Sequence, residues 1–146
     1  MTEVRDPAVQ THEATHTVIT PSVLYFGTPV GLISTLNRDG TTNLSPVSSL
    51  FALGQRYAVG LGAGGQAAAN LIDCPELVVN LPDAELAGAI EEIAPTTGVD
   101  PVPQHKAARY RFEPDKWTLG GLTPLSSELV RPDRVMECPI QLGRVP

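Results

Sequence analysis

Residues 41–51 are the stretch of the sequence best suited to chemistry. They are small and polar, with several serine and threonine hydroxyls, the amide of Asn43 and a proline at position 46. A proline lacks the backbone N–H that a central strand needs. We therefore expect this segment to leave its strand ladder at Pro46 and to line a site for a polar ligand.

A glycine-rich loop is the second candidate for ligand binding. Gly60, Gly62 and Gly65 fit the spacing G-x-G-x-x-G, and the alanine-rich residues 66–72 favour a short helix directly after them. The free N–H groups at a helix start can bind an anion without a charged side chain. Three interpretations are open: a phosphate-binding loop, a tight turn that lets a helix pack closely, and a Rossmann-like nucleotide-binding unit in which Asp83 contacts a ribose.

The elements that must position these two stretches indicate a mainly β protein with few short helices. A strand is predicted over residues 30–36, followed by a hairpin turn at Asp39-Gly40. Residues 57–62 predict a further strand, small and buried, and residues 76–82 predict an apolar one. Fourteen prolines and thirteen glycines exclude long helices.

One helix is predicted over residues 84–93, with Asp83 as its N-cap. Its apolar residues recur at helical spacing and are expected to pack into the core; they are Leu86, Ala89, Ile90 and Ile93. Two short β-like pieces are predicted within residues 130–142, at the end of the chain.

A zinc-protease pattern, H-E-x-x-H, spans His12 to His16. The β-branched residues around it are weak helix formers, and only His105 remains as a further histidine ligand. We expect residues 1–20 to be a flexible N-terminal arm and the protein to have no metal site.

Composition narrows the classes of protein further. A chain of 146 residues suits one domain, and a net charge of −6 argues against a nucleic-acid surface. No apolar run is long enough to cross a membrane, and the polar N-terminus argues against a signal peptide. Cys74 and Cys138 are expected to be free, buried thiols, which suits the cytoplasm.

Several segments, taken together and in this order, resemble the flavin reductase-like family of FMN-binding split barrels. Residues 26–49 carry the main match, which includes the run Asn-Leu-Ser-Pro-Val-Ser-Ser. Shorter matches are residues 60–64, 70–71, 79–82, 121–124 and 137–139. The resemblance covers residues 25–142. It implies an antiparallel, Greek-key-like split β-barrel over residues 21–146, a homodimer, and FMN as cofactor.

The resemblance also implies which residues hold the flavin. The polar arm would run along the isoalloxazine ring and the ribityl chain, and the glycine loop with its helix would hold the 5′-phosphate. The implied cofactor-binding residues are Asn43, Leu44, Ser45, Pro46, Val47, Ser48, Ser49, Gly62, Ala63, Gly64, Gly65, Gln66 and Asn70. No catalytic side chain is expected, because the flavin itself performs the chemistry.

Two departures from the family pattern shape the functional prediction. Many relatives carry Lys, Arg, Ser or Thr in the phosphate loop, where this chain reads Gly65-Gln66-Ala67-Ala68. We therefore expect weaker FMN binding, unless a partner subunit supplies a basic side chain. Relatives also continue past the strand that begins at Cys138, so we expect the barrel to be short at its C-terminal end.

The implied function is transfer of hydride from NADH or NADPH to flavin. The alternatives are a flavin carrier without its own turnover and a Rossmann-like nucleotide-binding domain.

Overall fold

The centre of the molecule is a four-stranded antiparallel sheet. The computed structural model describes residue 20 and residues 27–144. The sheet contains β1 (Gly31–Leu36), β2 (Thr42–Val47), β5 (Leu77–Leu81) and β10 (Ile140–Arg144), in the order β10-β5-β1-β2. The predicted flexible arm, apart from residue 20, and the zinc-protease pattern lie outside the described residues.

Short ribbons and helices surround this sheet. In the described part of the chain the ribbons are β3 (Leu50–Leu53) with β4 (Arg56–Val59), β6 (Thr96–Thr97) with β7 (Arg111–Phe112), and β8 (Pro124–Leu125) with β9 (Arg134–Val135). The helices are α1 (Gln66–Asp73), α2 (Ala87–Ile93) after a 3₁₀ turn (Ala84–Leu86), and α3 (Lys116–Gly120). The prediction of a mainly β protein with few short helices is confirmed.

The β1–β2 hairpin forms where the sequence predicts it. Gly40 has a φ of +86°, a conformation that glycine adopts without strain. The carboxylate of Asp39 accepts from the backbone N–H of Thr41 at 2.9 Å, which fixes the turn. Leu36 then pairs with Thr42, and the register continues from there along both strands.

The prediction that the polar arm leaves its ladder at Pro46 is wrong. Pro46 pairs with Leu32, and β2 continues to Val47. β2 is an edge strand, and the carbonyls of Thr42 and Leu44 point away from β1 to accept from α3. Backbone direction alternates along a strand, so the nitrogen of Pro46 also faces outward. There its missing N–H costs no ladder bond.

Helix α3 covers this open edge of β2. The indole Nε1 of Trp117 donates to the carbonyl of Thr42 at 2.8 Å, and Lys116 Nζ donates to the carbonyl of Leu44 at 2.9 Å. Asp115 caps the helix by accepting from Thr118 N at 3.0 Å. The helix ends at Gly120 and is capped by Gly121, where φ is +60°. These contacts satisfy carbonyls that an uncovered edge would leave to solvent.

Two apolar clusters pack on opposite faces of the sheet. Leu32 and Leu44 project to one face with Ile93, and the apolar stripe of α2 packs there, as the sequence predicts. Ile33 and Val79 project to the other face.

Asp83 accepts from Glu85 N at 3.0 Å and so caps the 3₁₀ turn that leads into α2.

The predicted buried strand at residues 57–62 differs in the structure. The strand is β4, and the Tyr57 side chain in it is 44% exposed, so the prediction of a buried strand is wrong. β4 pairs antiparallel with β3 in a separate hairpin, while β5 pairs antiparallel with β1. A Rossmann unit needs parallel strands in one sheet. The Rossmann interpretation of the glycine loop is therefore wrong.

Both cysteines are free and buried, as the sequence predicts. Burial raises the pKa of the Cys138 thiol to about 11, which keeps it protonated at neutral pH. Across residue 20 and residues 27–144, no helix has the length and hydropathy needed to span a membrane.

Candidate functional site

A cleft of about 240 Å³ lies between the polar arm of β2 and the start of α1. The loop after α2 and the segment before α3 close its other sides. Its lining residues are Ser45, Pro46, Val47, Leu61, Gly62, Gly65, Gln66, Ala67, Ala68, Ala94, Thr96, Thr97, Gly98, Lys106, Tyr110 and Lys116. The two stretches that the sequence singled out therefore meet at one site.

The glycine loop presents unpaired backbone donors to this cleft. Gly65 is the N-cap of α1, and its N–H donates to the carbonyl of Gly62 at 2.8 Å, which closes the turn. No side chain caps the helix, and its first turn contains no acidic residue. The N–H groups of Gln66, Ala67 and Ala68 have no partner within the helix. This end of the cleft is consequently electropositive.

Lys106 brings a positive charge to the same loop. Its Nζ donates to the carbonyl of Gly64 at 2.9 Å and lies 5.7 Å from the centre of the Tyr110 ring. The turn that carries it is held by the N–H of Lys106, which donates to the carbonyl of Pro103 at 2.8 Å. A segment about 40 residues later thus places a basic side chain beside the glycine loop, which has none of its own.

Lys116 places a second positive charge at the base of the cleft. The residue is only 4% exposed, and its Nζ donates to Asn43 Oδ1 at 3.1 Å and to the carbonyl of Leu44 at 2.9 Å. Burial lowers the pKa of this ammonium to about 8; Glu113 opposes the shift and the charge of Lys106 adds to it. Lys116 is therefore mostly charged at neutral pH.

Asn43 connects this buried ammonium to the wall of the cleft. Its Nδ2 donates to the hydroxyl of Ser45 at 3.1 Å, while its Oδ1 accepts from Lys116. Gly98 lies directly against it, because a Cβ at that position would come within 2.9 Å of Asn43 Oδ1 and 3.1 Å of Gln66 Cγ. The absence of a side chain at Gly98 lets β6 approach β2 and α1 closely.

The structure divides the residues implied by the resemblance into two groups. Six line the cleft: Ser45, Pro46, Val47, Gly62, Gly65 and Gln66. The others, which are not among its lining residues, are Asn43, Leu44, Ser48, Ser49, Ala63, Gly64 and Asn70. Of these, Asn43, Leu44 and Gly64 accept hydrogen bonds from the two lysines that line it.

Asn70 has an internal structural role. Its Nδ2 donates to Thr35 Oγ1 at 3.1 Å and to Asn37 Oδ1 at 2.8 Å, and its Oδ1 accepts from Gln66 at 2.7 Å. These bonds use both amide hydrogens and fasten α1 to β1. Asn70 thereby sets the position of the helix start without facing the cleft.

Sequence reasoning missed the residues that enter the cleft from later segments. They are Ala94, Thr96, Thr97, Gly98, Lys106, Tyr110 and Lys116. Leu61, Ala67 and Ala68 also line the cleft and belong to the glycine loop and helix that the sequence singled out. The lysines carried a usable signal. The chain contains two lysines, and both line this one cleft of a protein whose net charge is −6. Such a concentration of scarce cations indicates an anionic ligand.

Metal binding has no visible support in the described residues. Among residue 20 and residues 27–144, no three His, Cys, Asp or Glu side chains are grouped closely enough to hold a metal ion. His105, the histidine within this range, lies against the glycine loop, where a Cβ on Gly64 would be 3.4 Å from its ring.

Comparison of sequences relates the chain to an uncharacterized protein. No protein-family model matches the chain. YdfE of Bacillus subtilis (strain 168), an uncharacterized protein, is 43% identical over 125 residues, which are 85% of this chain and 60% of that protein. The chain therefore spans less than two thirds of this relative.

Two solved structures are similar to most of the chain. Flavoredoxin of Desulfovibrio vulgaris (Miyazaki F) aligns with a TM-score of 0.71 and 18% identity, covering 88% of this chain and 65% of its own. An FMN-binding domain of a flavin reductase-like enzyme from Shewanella baltica OS155 aligns with a TM-score of 0.65 and 14% identity, covering 79% and 55%. The structural neighbours are flavin reductase-like and flavoredoxin proteins with split-barrel domains, so the predicted split-barrel fold is confirmed.

Proposed function

We propose that this chain binds FMN in the cleft between β2 and α1. The observation that carries the proposal is the convergence of the polar arm, the glycine loop and both lysines of the chain on one cleft. The ring would lie along Ser45, Pro46 and Val47. The phosphate would lie at the start of α1, where backbone N–H groups and Lys106 supply donors.

The charges of the cleft suit FMN. A phosphate monoester carries close to two negative charges at neutral pH, and Lys106 and Lys116 offer two positive ones. The small residues of the glycine loop let backbone approach the phosphate closely. The volume of about 240 Å³ falls short of the ~300–1,000 Å³ of sites that enclose a whole ligand. Part of the ring would therefore extend beyond this cleft.

A second copy of the chain is proposed to cover that part of the ring. The β3–β4 hairpin exposes large apolar side chains, with Phe51 60% and Leu53 73% exposed. Apolar side chains grouped in this way on a surface favour association with another protein. A homodimer would bury them and shield the flavin from water.

The proposed activity is transfer of hydride from NADH or NADPH to the flavin. Bound FMN supplies the hydride-accepting chemistry. The residues of this chain bind it and orient it: β2 supports the ring, α1 and Lys106 anchor the phosphate, and Lys116 holds Asn43 in place behind the arm. None of these steps needs a side chain that gains or loses a proton.

A flavin titration tests the proposal. Binding is expected to quench the fluorescence of added FMN in proportion to the amount of protein present. It should also raise the melting temperature of the protein, since a ligand that binds the folded state stabilises it. NADH and NADPH should then be consumed in the presence of FMN, and mass measurement should give a dimer. FMN binding without oxidation of either nucleotide would favour a flavin carrier. An absence of both quenching and stabilisation would contradict flavin binding altogether.

Replacing Lys106 by methionine is expected to weaken FMN binding about tenfold or more. The substitution removes a charge-assisted contact to phosphate, which contributes about 1.5–3 kcal/mol, while the similar length of methionine keeps the packing. The change should appear in the FMN dissociation constant from fluorescence titration.

Arg109→Met is the matched control for this prediction. Arg109 is an exposed cation on the same segment, and its N–H donates to the carbonyl of Lys106 at 2.9 Å, but it does not line the cleft. Its replacement removes one positive charge and should leave FMN affinity within about twofold. Equal losses of FMN affinity in both variants would mean that Lys106 acts only through long-range electrostatic attraction of the phosphate.

A further inference from the structure

We propose that a second groove of the protein, separate from the flavin cleft, binds a carboxylate with a medium-length acyl chain. The groove has a volume of about 770 Å³ and lies between the β3–β4 ribbon and the strands β5 and β10. This volume falls within the ~300–1,000 Å³ of sites that enclose a small ligand. The described residues that line the groove and those that line the flavin cleft do not overlap, so the proposal is independent of flavin binding.

The apolar wall of the groove is the open side of a hydrophobic cluster. Four aliphatic side chains from three strands line it: Val59 of β4, Leu77 and Val79 of β5, and Leu142 of β10. All four belong to the cluster around Ile33, yet Val79 alone among the four is fully buried. Helices α2 and α3 cover the cluster on the opposite face of the sheet, whereas the described members of this one all lie on strands. An aliphatic ligand would remove this remaining apolar surface from water, which favours binding.

The groove lies on a different face of the β3–β4 ribbon from the one proposed for the homodimer. Side chains alternate between the two faces along a strand, and directly opposite residues share a face. Tyr57 and Val59 line the groove, and Phe51 pairs with Ala58, the residue between them. The side chain of Phe51 therefore projects away from the groove. A second copy seated on Phe51 would leave the groove open to a small ligand.

The charge at the groove suits a singly charged anion. Arg56 lines it from the tip of the ribbon, where β4 begins, and the described lining residues include no acidic side chain. Arg56 makes no ion pair with any residue that the structure describes. A guanidinium binds a carboxylate through two parallel N–H donors. The amide of Gln55 and the hydroxyl of Tyr57 flank Arg56 in the chain and are further donors to such a head group.

The dimensions of the groove indicate the length of the chain. Arg56 and Val59 lie three residues apart on β4, which is about 10 Å along a strand. A ligand whose carboxylate meets Arg56 would extend its acyl chain over about this distance to reach the apolar wall. A medium-length chain spans it, and a short one such as acetate does not.

A series of carboxylates tests the apolar part of the proposal. Binding of hexanoate, octanoate and decanoate to the flavin-free chain is measured by isothermal titration calorimetry at neutral pH. The dissociation constant should fall about two- to fourfold for each added methylene group, as expected for its burial. Absence of binding by all three acids, or affinities that do not depend on chain length, would overturn the proposal.

Octanol tests the role of the charge, because it has the same chain with a neutral head group. In Arg56→Met the ratio of octanol to octanoate dissociation constants should fall about fivefold, the effect of one exposed charge pair. Arg109→Met removes an exposed cation that does not line the groove, and it should keep the original ratio. An unchanged ratio in Arg56→Met, or an equal fall in both variants, would overturn the assignment of the head group to Arg56.

Leu129 provides a test of position that does not disturb the core. It lines the groove and is 85% exposed. Leu129→Glu should bind octanoate about three- to tenfold more weakly than the neutral variant Leu129→Gln, since a carboxylate at the rim repels the head group. Ile72→Glu and Ile72→Gln are the matched controls, because Ile72 is 84% exposed and does not line the groove. The same difference between the two Ile72 variants would mean that octanoate binds elsewhere.

Mass measurement with and without saturating octanoate separates a small ligand from a second copy of the chain as the occupant. The mass of the assembly should not change when octanoate binds. Dissociation of the assembly by octanoate would mean that the groove is an interface between copies and would overturn the proposal. None of these measurements requires flavin, so this proposal and the proposed function fail independently.

Discussion

Ala68→Glu is expected to weaken FMN binding by about 100-fold or more and at the same time to stabilise the fold slightly. Ala68 is the third residue of α1 and lines the cleft. A carboxylate there would lie within a few ångströms of the proposed phosphate, where repulsion between two charges costs about 4 kcal/mol near a protein surface. The same carboxylate interacts favourably with the helix dipole, by about 0.3–1 kcal/mol.

The opposite signs make this prediction diagnostic. A general loss of structure would lower both affinity and melting temperature, whereas Ala68→Glu should lower affinity alone. Ala69→Glu is the matched control, because Ala69 is the next residue of the helix, is exposed and does not line the cleft. Fluorescence titration and thermal unfolding of both variants are the measurements. Equal FMN affinity in the two variants would remove the start of α1 from the proposed phosphate site.

Local sequence signals predicted the scaffold well. The hairpin at Asp39-Gly40 and the stripe of α2 depend on the backbone freedom of one glycine and on helical spacing, which neighbouring residues determine. The course of the chain at Pro46 depended on something else: whether β2 lies at the centre or the edge of the sheet. That is a property of the strand order, which short-range patterns do not contain.

The exposure of β4 illustrates the same limit. Its short apolar run predicts a buried strand, because small and β-branched residues are typical of sheet interiors. In the structure β3 and β4 form a ribbon with exposed residues, and Tyr57 is 44% exposed. Pairing with the rest of the sheet or with another chain decides burial, and the sequence of the strand does not encode it.

Six of the sixteen residues that line the cleft were predicted from the sequence. The glycine loop and the polar arm are continuous in sequence, so residue type and order identified them. Lys106 and Lys116 reach the cleft from segments about 40 and 70 residues away from their contacts on the loop and on β2. Contacts between residues so far apart in the chain are not marked by any local periodicity of the sequence. The scarcity of lysine in an acidic chain was the one signal available.

The unfolding free energy of the ligand-free protein is expected to increase between pH 8 and pH 9.5 by about 2 kcal/mol, through Lys116 alone. In the folded state burial lowers the pKa of Lys116 from 10.5 to about 8. In the unfolded chain it returns to its ordinary value. Below pH 8 the lysine is protonated in both states and folding bears the full cost of burying the charge. Above pH 8 the unfolded state binds one proton more than the folded state, so stability rises with pH.

Urea unfolding of the unmodified chain and of Lys116→Met at pH 7.5 and pH 9.5 measures this effect. Other ionisable groups are common to both proteins, so the difference between the two pH responses isolates Lys116. Saturating FMN should reduce that difference, because a bound phosphate compensates the ammonium and raises its pKa again. Parallel pH responses of the two ligand-free proteins would contradict a buried, uncompensated charge at position 116. A difference that FMN leaves unchanged would place the phosphate away from Lys116 and assign the ammonium to the fold alone.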